Sequence, residues 1–317
     1  MKKPLISIVT PVYNSYHLMD NLINSLEKQS CDDFEIIFIN DLSTDNSYEL
    51  LSKRLENVQF SYTFLSNERN LGPGETRNCG ISNSSGDYIT FIDSDDYISE
   101  DFIKKIKEKI KISYPDAIIF DYYINNNQKS VYKKSLPLEE KIIDKMDALA
   151  LCNGMCWGKV LKKKIVVDNN VKFPKLMRSE DLAFVKVAIS FCESIVYFNE
   201  PLYYYNLVES SIMHTRKTLN ILNNIKAFEY IEDNVTSNEA LEMVFIRDYL
   251  YIIVQNMIIL REKNNTIKDF IISAEKKYPE WYKNKYLKYQ PLYLRLLLRL
   301  IKHKNIFLLK LIFKLKK

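Results

Sequence analysis

The sequence lacks any apolar stretch of about twenty residues, so it predicts no helix that spans a membrane. The short apolar stretch near its start is interrupted by Thr10 and Pro11, and no secretory signal is predicted there. Cysteine is also scarce: the 317 residues include five, an odd number, and no pair has the two-residue gap of a zinc knuckle. Buried free thiols are the simplest interpretation, and they indicate a reducing, cytoplasmic compartment.

Glycine is the next scarce residue, and four of the six glycines lie between Gly72 and Gly86. Such a concentration marks a segment in which the path of the backbone matters more than the side chains. The stretch NLGPGETRN is not a dinucleotide-binding fingerprint, because Arg77 stands where the third glycine would fall. No Gly-Lys-Ser/Thr of a P-loop follows it. We predict a loop leading into a helix whose Arg77 binds a diphosphate or, equally, forms a surface ion pair.

Acidic residues are missing from residues 281–317, which contain eleven Lys and Arg. Since the whole chain carries +5, residues 1–280 carry −6, and neither this acidic body nor any recognised motif predicts nucleic-acid binding. Basic residues of the tail, residues 291–317, share one sector of a helical wheel: Arg295, Arg299, Lys302, Lys310, Lys314 and Lys317. This predicts a basic amphipathic tail that packs in a helical bundle or, as we favour, lies on an anionic membrane surface.

Apolar strands and helical segments alternate in the first part of the chain. The predicted strands are rich in β-branched residues and lie at 5–13, 34–40, 60–66 and 87–93. Strand–helix alternation of this kind predicts an α/β fold with a mainly parallel sheet flanked by helices. The pattern turns helical near residue 215 and stays so, which predicts one domain over 1–214 and a helical C-terminal region over 215–317.

The segment between these regions predicts further, shorter elements. They are helices at 101–113 and 179–193, a strand at 116–124, a loop or hairpin at 125–140, a helix carrying Trp157, and two short strands in SIVYFN and LYYYNL. Asn14 and Ser179 are predicted to be N-caps of the helices that follow them.

Three aspartates, Asp93, Asp95 and Asp96, directly follow the strand at 87–93. Like charges this close raise one another's pKa unless a cation or hydrogen-bond donors compensate them. A helix start at Ser99 explains the polar residues after the cluster but not the cluster itself. Because Mg²⁺ and Mn²⁺ bind one or two carboxylates together with phosphates and waters, we predict a divalent metal site here.

Other polar residues are predicted to reach the same edge of the sheet, since the carboxyl ends of parallel strands meet there. Residues 10–14 and Asp41 end the first two strands. Asp181 has no capping role to fulfil in its helix, and it could face a cleft as a base. His214 is one of three histidines, and a structural role is the simpler interpretation for it.

Five stretches together resemble the family 2 glycosyltransferases, whose nucleotide-sugar-binding fold is called GT-A. They are, in order, ISIVTPVYN, NDLSTDNS, NLGPGETRNCGISNSSGDYITFIDSDDY, MCWGKVLKK and MRSEDLAF. The resemblance covers about residues 4–215. It departs from the usual pattern at Asn40-Asp41-Leu42-Ser43, where the family has Asp-Asp-Gly-Ser, and at Thr76, where alanine is usual.

The resemblance implies a role for each matching residue. The donor-binding residues would be Thr10, Pro11, Tyr13, Asp41, Arg77, Asp93 and Ser94. Asp95 would bind the metal, with His214 as a second contact, and Asp181 would be the general base. Trp157 and Glu180 would contact the acceptor.

The implied activity is inverting, metal-dependent transfer of a sugar from a nucleoside diphosphate, as in a UDP-sugar, to a hydroxyl of a saccharide or lipid-linked saccharide. Mn²⁺ or Mg²⁺ would be the cofactor. Such enzymes build bacterial surface polysaccharides and glycolipids, so we expect a peripheral protein on the inner face of the cell membrane, and the helical region could also form homo-oligomers. A nucleotidyl- or phosphotransferase, or a non-catalytic membrane-associated scaffold, is the alternative. The former would need several basic groups near Asp95.

Overall fold

The computed structural model describes residues 3–126, 129–207 and 221–315, and the chain forms two compact units. The first unit comprises residues 1–145 and 153–215, and the second comprises residues 146–152 and 216–317. The sequence predicted a single division after residue 214. It did not predict that the short segment 146–152 belongs with the C-terminal unit.

In the described part of the first unit, ten strands form one sheet. They are β1 (Ile6–Val12), β2 (Phe34–Asn40), β3 (Ser61–Ser66), β4 (Tyr88–Phe91), β5 (Tyr97–Ile98), β6 (Ala117–Asn126), β7 (Lys129–Lys133), β8 (Lys141–Ile143), β9 (Lys159–Lys162) and β10 (Ile195–Asn206). Their order is β3-β2-β1-β4-β9-β6-β10-β5, with β7 added beside β6 and β8 beside β10.

The sheet is mainly parallel. β1 pairs in parallel with β2 and β4, β2 with β3, and β6 with β10. β9 lies antiparallel between β4 and β6, so both of these run in the same direction as β1. The carboxyl ends of six strands therefore meet at one edge, and the order changes direction between β1 and β4, where such sheets bind ligands.

Thirteen α-helices lie in the described ranges. They are α1 (Asp20–Glu27), α2 (Ser47–Leu55), α3 (Pro73–Asn83), α4 (Phe102–Ser113), α5 (Lys145–Leu151), α6 (Lys163–Asp168), α7 (Glu180–Ser190), α8 (Ile221–Asn234), α9 (Glu239–Val244), α10 (Ile252–Ile259), α11 (Asn264–Lys277), α12 (Leu292–Lys302) and α13 (Ile306–Leu315). Short 3₁₀ helices occur at Tyr16–Leu18, Trp281–Lys283 and Lys285–Tyr289, and a π-helix at Phe245–Tyr251 joins α9 to α10.

Helices cover both faces of the sheet, and its central strands β1, β2 and β4 are accordingly buried along almost their whole length. α1, α2 and α4 share a buried apolar cluster with Ile6 and Ile8 of β1. α3 and α7 pack on the other face, where Phe184 of α7 lies edge-on to Phe91 of β4 at 5.5 Å between ring centroids.

Gly80 allows α3 to lie unusually close to β1. A Cβ atom on Gly80 would stand 2.3 Å from Cγ1 of Val9 and 3.0 Å from Cδ1 of Ile39. No side chain fits this space, so only glycine permits the approach. This close contact fixes the position of Arg77, one turn earlier in α3.

The second unit is helical, as the periodicity predicted. Arg247 donates hydrogen bonds to the carbonyl oxygens of Ala150, Leu151 and Cys152 at 3.0, 3.3 and 2.9 Å, so it caps the C-terminal end of α5. This interaction explains how a segment distant in sequence joins the helical unit. Within the described ranges, none of the helices has both the length and the apolar composition needed to cross a bilayer.

Several local predictions were wrong. Trp157 lies two residues before β9, an interior antiparallel strand, and is not in a helix. Asn14 is not an N-cap: it has φ 50°, and its side chain accepts from the backbone N–H of Thr44 at 2.8 Å. The two short strands predicted in 195–207 form the single, irregular strand β10. Ser179 occupies the N-cap position of α7 but its side chain makes no capping hydrogen bond.

Candidate active site

The predicted polar residues converge at the carboxyl edge of the sheet, beside the change of direction between β1 and β4. The centre of the site is Arg77 on α3, whose side chain is 5% exposed. Its guanidinium donates to Asp93 Oδ1 at 2.6 Å and to Asp181 Oδ1 at 3.1 Å, and it lies 3.5 Å from Glu180 Oε1. The site thus joins the end of β4, the start of α7 and the middle of α3.

Arg77 was predicted to bind the donor or to form a surface ion pair. Its guanidinium is instead buried among three carboxylates and lies 5.6 Å from the centre of the Phe173 ring. Burial lowers the pKa of Arg77, but the charges of Asp181, Asp93 and Glu180 outweigh it and raise that pKa well above its ordinary value. Arg77 therefore stays charged and holds these carboxylates in place.

Asp181 has the environment of a base. Burial raises the pKa of Asp181 above its ordinary value, and the charge of Arg77 opposes this rise. A carboxylate with a raised pKa binds a proton more strongly than a solvated one, which suits proton abstraction near neutral pH. Its other oxygen, Oδ2, lies 3.5 Å from the backbone N–H of Cys156, a neighbour that sequence reasoning missed.

Glu180 lies beside Asp181 and is more deeply buried, with 10% of its side chain exposed. Burial, followed by the charge of Asp181, raises the pKa of Glu180 to about 7. Gly74 makes room for it, because a Cβ there would stand 3.0 Å from Glu180 Cγ and 3.2 Å from Phe173 Cβ. The glycine-rich segment is thus explained by close helix packing as well as by loop geometry.

The three aspartates after β4 point in different directions. Asp96 is fully buried and accepts hydrogen bonds from the Tyr203 hydroxyl at 2.6 Å and from the backbone N–H of Asn206 at 2.7 Å. Asp93 binds Arg77, as described above. Asp95 remains half-buried at the site, and in the described ranges its carboxylate forms no ion pair.

The residues around Asp95 fit a divalent cation. Burial and the charge of Asp93 raise the pKa of Asp95 to about 6, so its charge is not compensated by protein groups. In the part of the chain that the structure describes, no three His, Cys, Asp or Glu side chains form a group that could hold a metal by themselves. The protein would thus supply one or two carboxylates, as in Mg²⁺ sites that substrate phosphates and waters complete.

The residues predicted to bind the donor line the neighbouring ends of β1 and β2. Tyr13 is 47% exposed, Pro11 is half-buried, and Thr10 is fully buried with no hydrogen-bond partner for its hydroxyl among the described residues. Ser94 donates to the Ser15 hydroxyl at 2.9 Å and so links the loop after β4 to the loop after β1.

Asp41 is buried and accepts three hydrogen bonds, each of 2.8 Å, from the Asn67 side chain and from the backbone N–H groups of Leu71 and Gly72. These bonds use most of the capacity of its carboxylate. Its evident role is to hold the loop that precedes α3, and a contact with a nucleotide base stays a prediction.

Trp157 is not where the acceptor prediction requires it. Its ring is 3% exposed and lies in the core cluster, stacked between Tyr203 and Tyr205. Sequence reasoning missed both tyrosines, although the alternation of LYYYN places them on one face of their strand. The predicted metal contact His214 lies outside the described residues.

Comparison with known proteins agrees with this architecture. Residues 7–168 match the sequence model of glycosyl transferase family 2. Glycosyltransferase GlyA of Streptococcus pneumoniae serotype 4 is 27% identical over 220 residues, which are 65% of this chain and 31% of GlyA. Poly(ribitol-phosphate) β-N-acetylglucosaminyltransferase TarS of Staphylococcus aureus is 27% identical over 209 residues, which are 63% of this chain and 35% of TarS. This chain thus spans about a third of the length of these relatives.

Solved structures show the same fold. A crystal structure of S. aureus TarS 1–349 in complex with UDP has a TM-score of 0.70 and 20% identity, and covers 95% of this chain and 88% of that one. The same fragment in complex with UDP-GlcNAc has a TM-score of 0.67 and 21% identity, with the same coverage. A mannosyltransferase from Pyrobaculum calidifontis in complex with GDP-Man and Mn²⁺ has a TM-score of 0.57 and 10% identity, and covers 80% of this chain and 72% of that one.

The structural matches confirm the predicted GT-A fold with its helical C-terminal region. The sequence match extends over more than half of the chain and includes the ends of β1, β2 and β4, where the predicted donor and metal residues lie. This chain belongs to glycosyl transferase family 2.

Proposed function

We propose that this chain transfers a sugar from a nucleoside diphosphate, with a UDP-sugar such as UDP-GlcNAc as donor, to a hydroxyl of a saccharide or lipid-linked acceptor. The observation that carries the proposal is the convergence of Asp93, Glu180 and Asp181 on Arg77. One arginine thus holds Asp93, which lies next to the predicted diphosphate site, together with Asp181, the carboxylate suited to be a base. UDP and UDP-GlcNAc bound to the structurally similar TarS support the choice of donor.

In this proposal, different residues bind the donor, position the carboxylates and accept the proton. The exposed Tyr13 ring and the end of β2 bind the nucleoside. Arg77 fixes the positions of the Asp93 and Asp181 carboxylates through its hydrogen bonds. A divalent cation, Mn²⁺ or Mg²⁺, would be held by Asp95 and would stabilise negative charge on the departing diphosphate. Asp181 takes the proton from the attacking hydroxyl. A single displacement of this kind inverts the anomeric centre.

The alternative activity, nucleotidyl or phosphoryl transfer, receives less support. It needs several free cationic groups beside Asp95 to bind a triphosphate. The buried Arg77 is already engaged by three carboxylates.

We also propose that the tail carries the enzyme to an anionic membrane surface, where bacterial polysaccharide and glycolipid acceptors are assembled. α12 and α13 bury one apolar face through residues such as Leu297 and Leu309. Arg295 and Arg299 are exposed, and so are six apolar residues of the same two helices: Leu292, Tyr293, Leu296, Phe307, Leu308 and Leu311. An apolar, cationic surface of this kind suits the interface of an anionic bilayer.

The transferase proposal is tested by incubating the purified protein with nucleotide sugars and Mn²⁺, then measuring release of the nucleoside diphosphate and the rise in melting temperature. We expect UDP-sugars to stabilise the protein and to be hydrolysed slowly, and EDTA to abolish both effects. Asp95→Ala, which removes the predicted metal ligand, should abolish both effects as EDTA does, and Asp168→Asn, an exposed aspartate distant in sequence, is its control. The proposal fails if no nucleotide sugar stabilises the protein or is hydrolysed with metal present.

A further inference from the structure

A stack of three aromatic rings stands at the end of β10. The Trp157 ring stacks on Tyr203, with ring centroids 4.6 Å apart and an interplanar angle of 3°, and on Tyr205, at 5.3 Å and 17°. Tyr122 lies edge-on to it, at 4.9 Å and 77°. Tyr203 and Trp157 are buried, whereas Tyr205 and Tyr122 are half-buried. The Tyr205 ring is therefore the accessible end of a stack whose other members hold it rigidly.

This accessible ring lies near Asp95, the predicted metal ligand. Asn206, the residue after Tyr205, donates its side-chain N–H to the backbone carbonyl oxygen of Asp95 at 2.6 Å and its backbone N–H to Asp96 Oδ1 at 2.7 Å. Tyr203, two residues earlier and on the same face of the strand, donates to Asp96 Oδ2. The end of β10 is thus hydrogen-bonded directly to Asp95 and Asp96, and Tyr205 is on the same strand face as Tyr203, which bonds to Asp96.

The hydroxyl of Tyr205 forms no hydrogen bond with the residues that the structure describes, and it can bind a ligand. Burial and the charges of Asp96, Asp95 and Asp93 raise the pKa of Tyr205 to about 12, so its hydroxyl stays protonated and can donate. Among the described residues, neither it nor the Tyr122 hydroxyl forms a hydrogen bond, whereas the Tyr203 hydroxyl donates to Asp96. A rigid ring with a free hydroxyl offers both an apolar face and a polar edge.

The position of Tyr205 along the edge of the sheet favours the acceptor over the donor. The predicted nucleoside contacts follow β1 and β2, and Asp93 and Asp95 follow β4. Tyr122 and Tyr205 are on β6 and β10, which lie beyond β4 in the order β2-β1-β4-β9-β6-β10. A donor diphosphate at Asp95 would therefore have its nucleoside on one side and the tyrosines on the other.

We propose that Tyr205, backed by Trp157 and flanked by Tyr122, is the binding platform for a pyranose ring of the acceptor. The C–H face of the sugar packs on the Tyr205 ring, and its hydroxyls bond to the phenols. This proposal rests on the proposed transferase function. It assigns Trp157 an indirect part, because the indole positions the ring that contacts the sugar. A pyranose fits this surface better than an acyclic polyol phosphate, which has no flat apolar face and carries charge toward three aspartates.

The test compares acceptors of the two chemical classes, with UDP-GlcNAc as the donor. The probes are octyl β-glycosides of glucose, galactose and N-acetylglucosamine, and ribitol 5-phosphate. The variants are Tyr205→Leu, which removes the ring, and Tyr205→Phe and Tyr205→Trp, which retain one. Tyr204→Leu is the matched control, since Tyr204 is on the opposite face of the strand and stacks between Tyr97 and Tyr123.

We expect Tyr205→Leu to raise the KM for the pyranosides about tenfold, while slow donor hydrolysis and the KM for UDP-GlcNAc stay unchanged. Tyr205→Phe and Tyr205→Trp should recover most of the loss, and Tyr204→Leu should behave as the wild type. Partial unfolding would lower the rates of transfer and of donor hydrolysis together, so it would change neither the KM values nor the ratio of these two rates.

The proposal is overturned if Tyr205→Leu uses the pyranosides as well as the wild type does, or if it impairs donor hydrolysis to the same extent as transfer. It is also overturned if a wild-type protein that hydrolyses UDP-GlcNAc glycosylates none of the pyranosides. A wild-type protein that hydrolyses no nucleotide sugar refutes the transferase function instead, so the two failures are distinguishable.

Discussion

At the scale of single residues, Arg77 decides how the acids of the site are used. It binds Asp93 at 2.6 Å and Asp181 at 3.1 Å, residues that are 16 and 104 positions away in the chain. A planar guanidinium can satisfy two carboxylates at once, which a lysine ammonium cannot do with the same geometry. The side chain predicted to bind a diphosphate is thus better described as a positioning residue for Asp181, the proposed base.

Asp181→Asn tests the base directly. We expect the variant to bind UDP and UDP-GlcNAc as the wild type does, because the amide keeps the shape of the side chain. Transfer should fall by about 10²–10⁴-fold, since an amide cannot accept the proton of the hydroxyl. Steady-state transfer and UDP titration measure the two effects, with Asp168→Asn as control. Normal turnover of Asp181→Asn would remove this residue from the mechanism.

Glu180 gives a prediction about pH. Its pKa of about 7 in the folded protein lies above the ordinary value of 4.5, so protonation stabilises the fold, and stability is lost as pH rises from about 4.5 to 7. Glu180→Gln mimics the protonated form and lacks this loss. Between pH 5 and pH 8 the free energy of unfolding of the wild type should fall by up to about 2 kcal/mol more than that of the variant.

Urea unfolding at the two pH values measures this difference. Glu56→Gln, an exposed glutamate at the C-terminal end of α2, is the matched control. Equal pH dependence of the wild type and Glu180→Gln would show that Glu180 is ionised in the folded protein.

At the scale of elements, the contact of α3 with β1 brings Arg77 to the sheet. The helix has little amphipathic character in its sequence, and small residues on one side take the place of an apolar stripe. Gly80 allows close contact with Val9, and Gly74 allows close contact with Glu180. The clustering of glycines in the sequence indicated this constraint but not which neighbours imposed it.

Gly80→Ala should destabilise the first unit by about 1–3 kcal/mol, because the new methyl overlaps Val9 and α3 must move away from β1. The rate of donor hydrolysis should also fall in Gly80→Ala, because Arg77 moves together with α3. Adding Val9→Ala provides space and should restore part of both losses. Ser82→Ala, on the exposed side of α3, is the control. If Gly80→Ala unfolds at the same urea concentration as the wild type, the helix is not held by this contact.

At the scale of the whole molecule, the tail packs within the helical unit, and only its outer face is left for the proposed contact with a membrane. Part of its basic stripe is used within the helical unit, since Lys310 donates to the Glu262 carbonyl oxygen at 2.9 Å and to Asn264 Oδ1 at 2.6 Å. Lys304, which lies off the stripe, pairs with Glu275 at 2.6 Å. Arg295 and Arg299 remain exposed and, in the described part of the chain, form no ion pair. Bundle packing therefore explains the buried face, and the outer face stays available for an anionic surface.

Replacing Arg295 and Arg299 together by Gln should weaken binding to phosphatidylglycerol vesicles about 30-fold, at ~1 kcal/mol for each charge. Neither arginine is buried, so folding should be unaffected. Cosedimentation with vesicles at low salt measures the binding. The control removes two exposed lysines of the first unit, Lys111→Gln and Lys133→Gln. Equal binding of both double variants, or no binding of the wild type, would contradict the membrane proposal.

Much of the fold was predictable because the signals are local. Alternating and helical hydrophobic patterns gave the strands of the parallel half of the sheet and the helical C-terminal region. Trp157 was assigned to a helix because nothing local distinguishes the start of a short buried antiparallel strand from a helix. The hydrogen bonds from Arg247 to the end of α5 had no sequence signal, since they join residues nearly a hundred positions apart.

The sequence by itself determined the α/β class, the acidic residues after β4, the acidic pair at the start of α7, and the acid-free tail, because each depends on residues close together in the chain. Tertiary structure alone decided which acids share Arg77, that Asp96 turns inward to Tyr203, and that Tyr205 rather than Trp157 is accessible. The reason is that a side chain's charge state and accessibility depend on its burial and its neighbours across the sheet, which are set by strand order and by contacts as close as that of Gly80 with Val9.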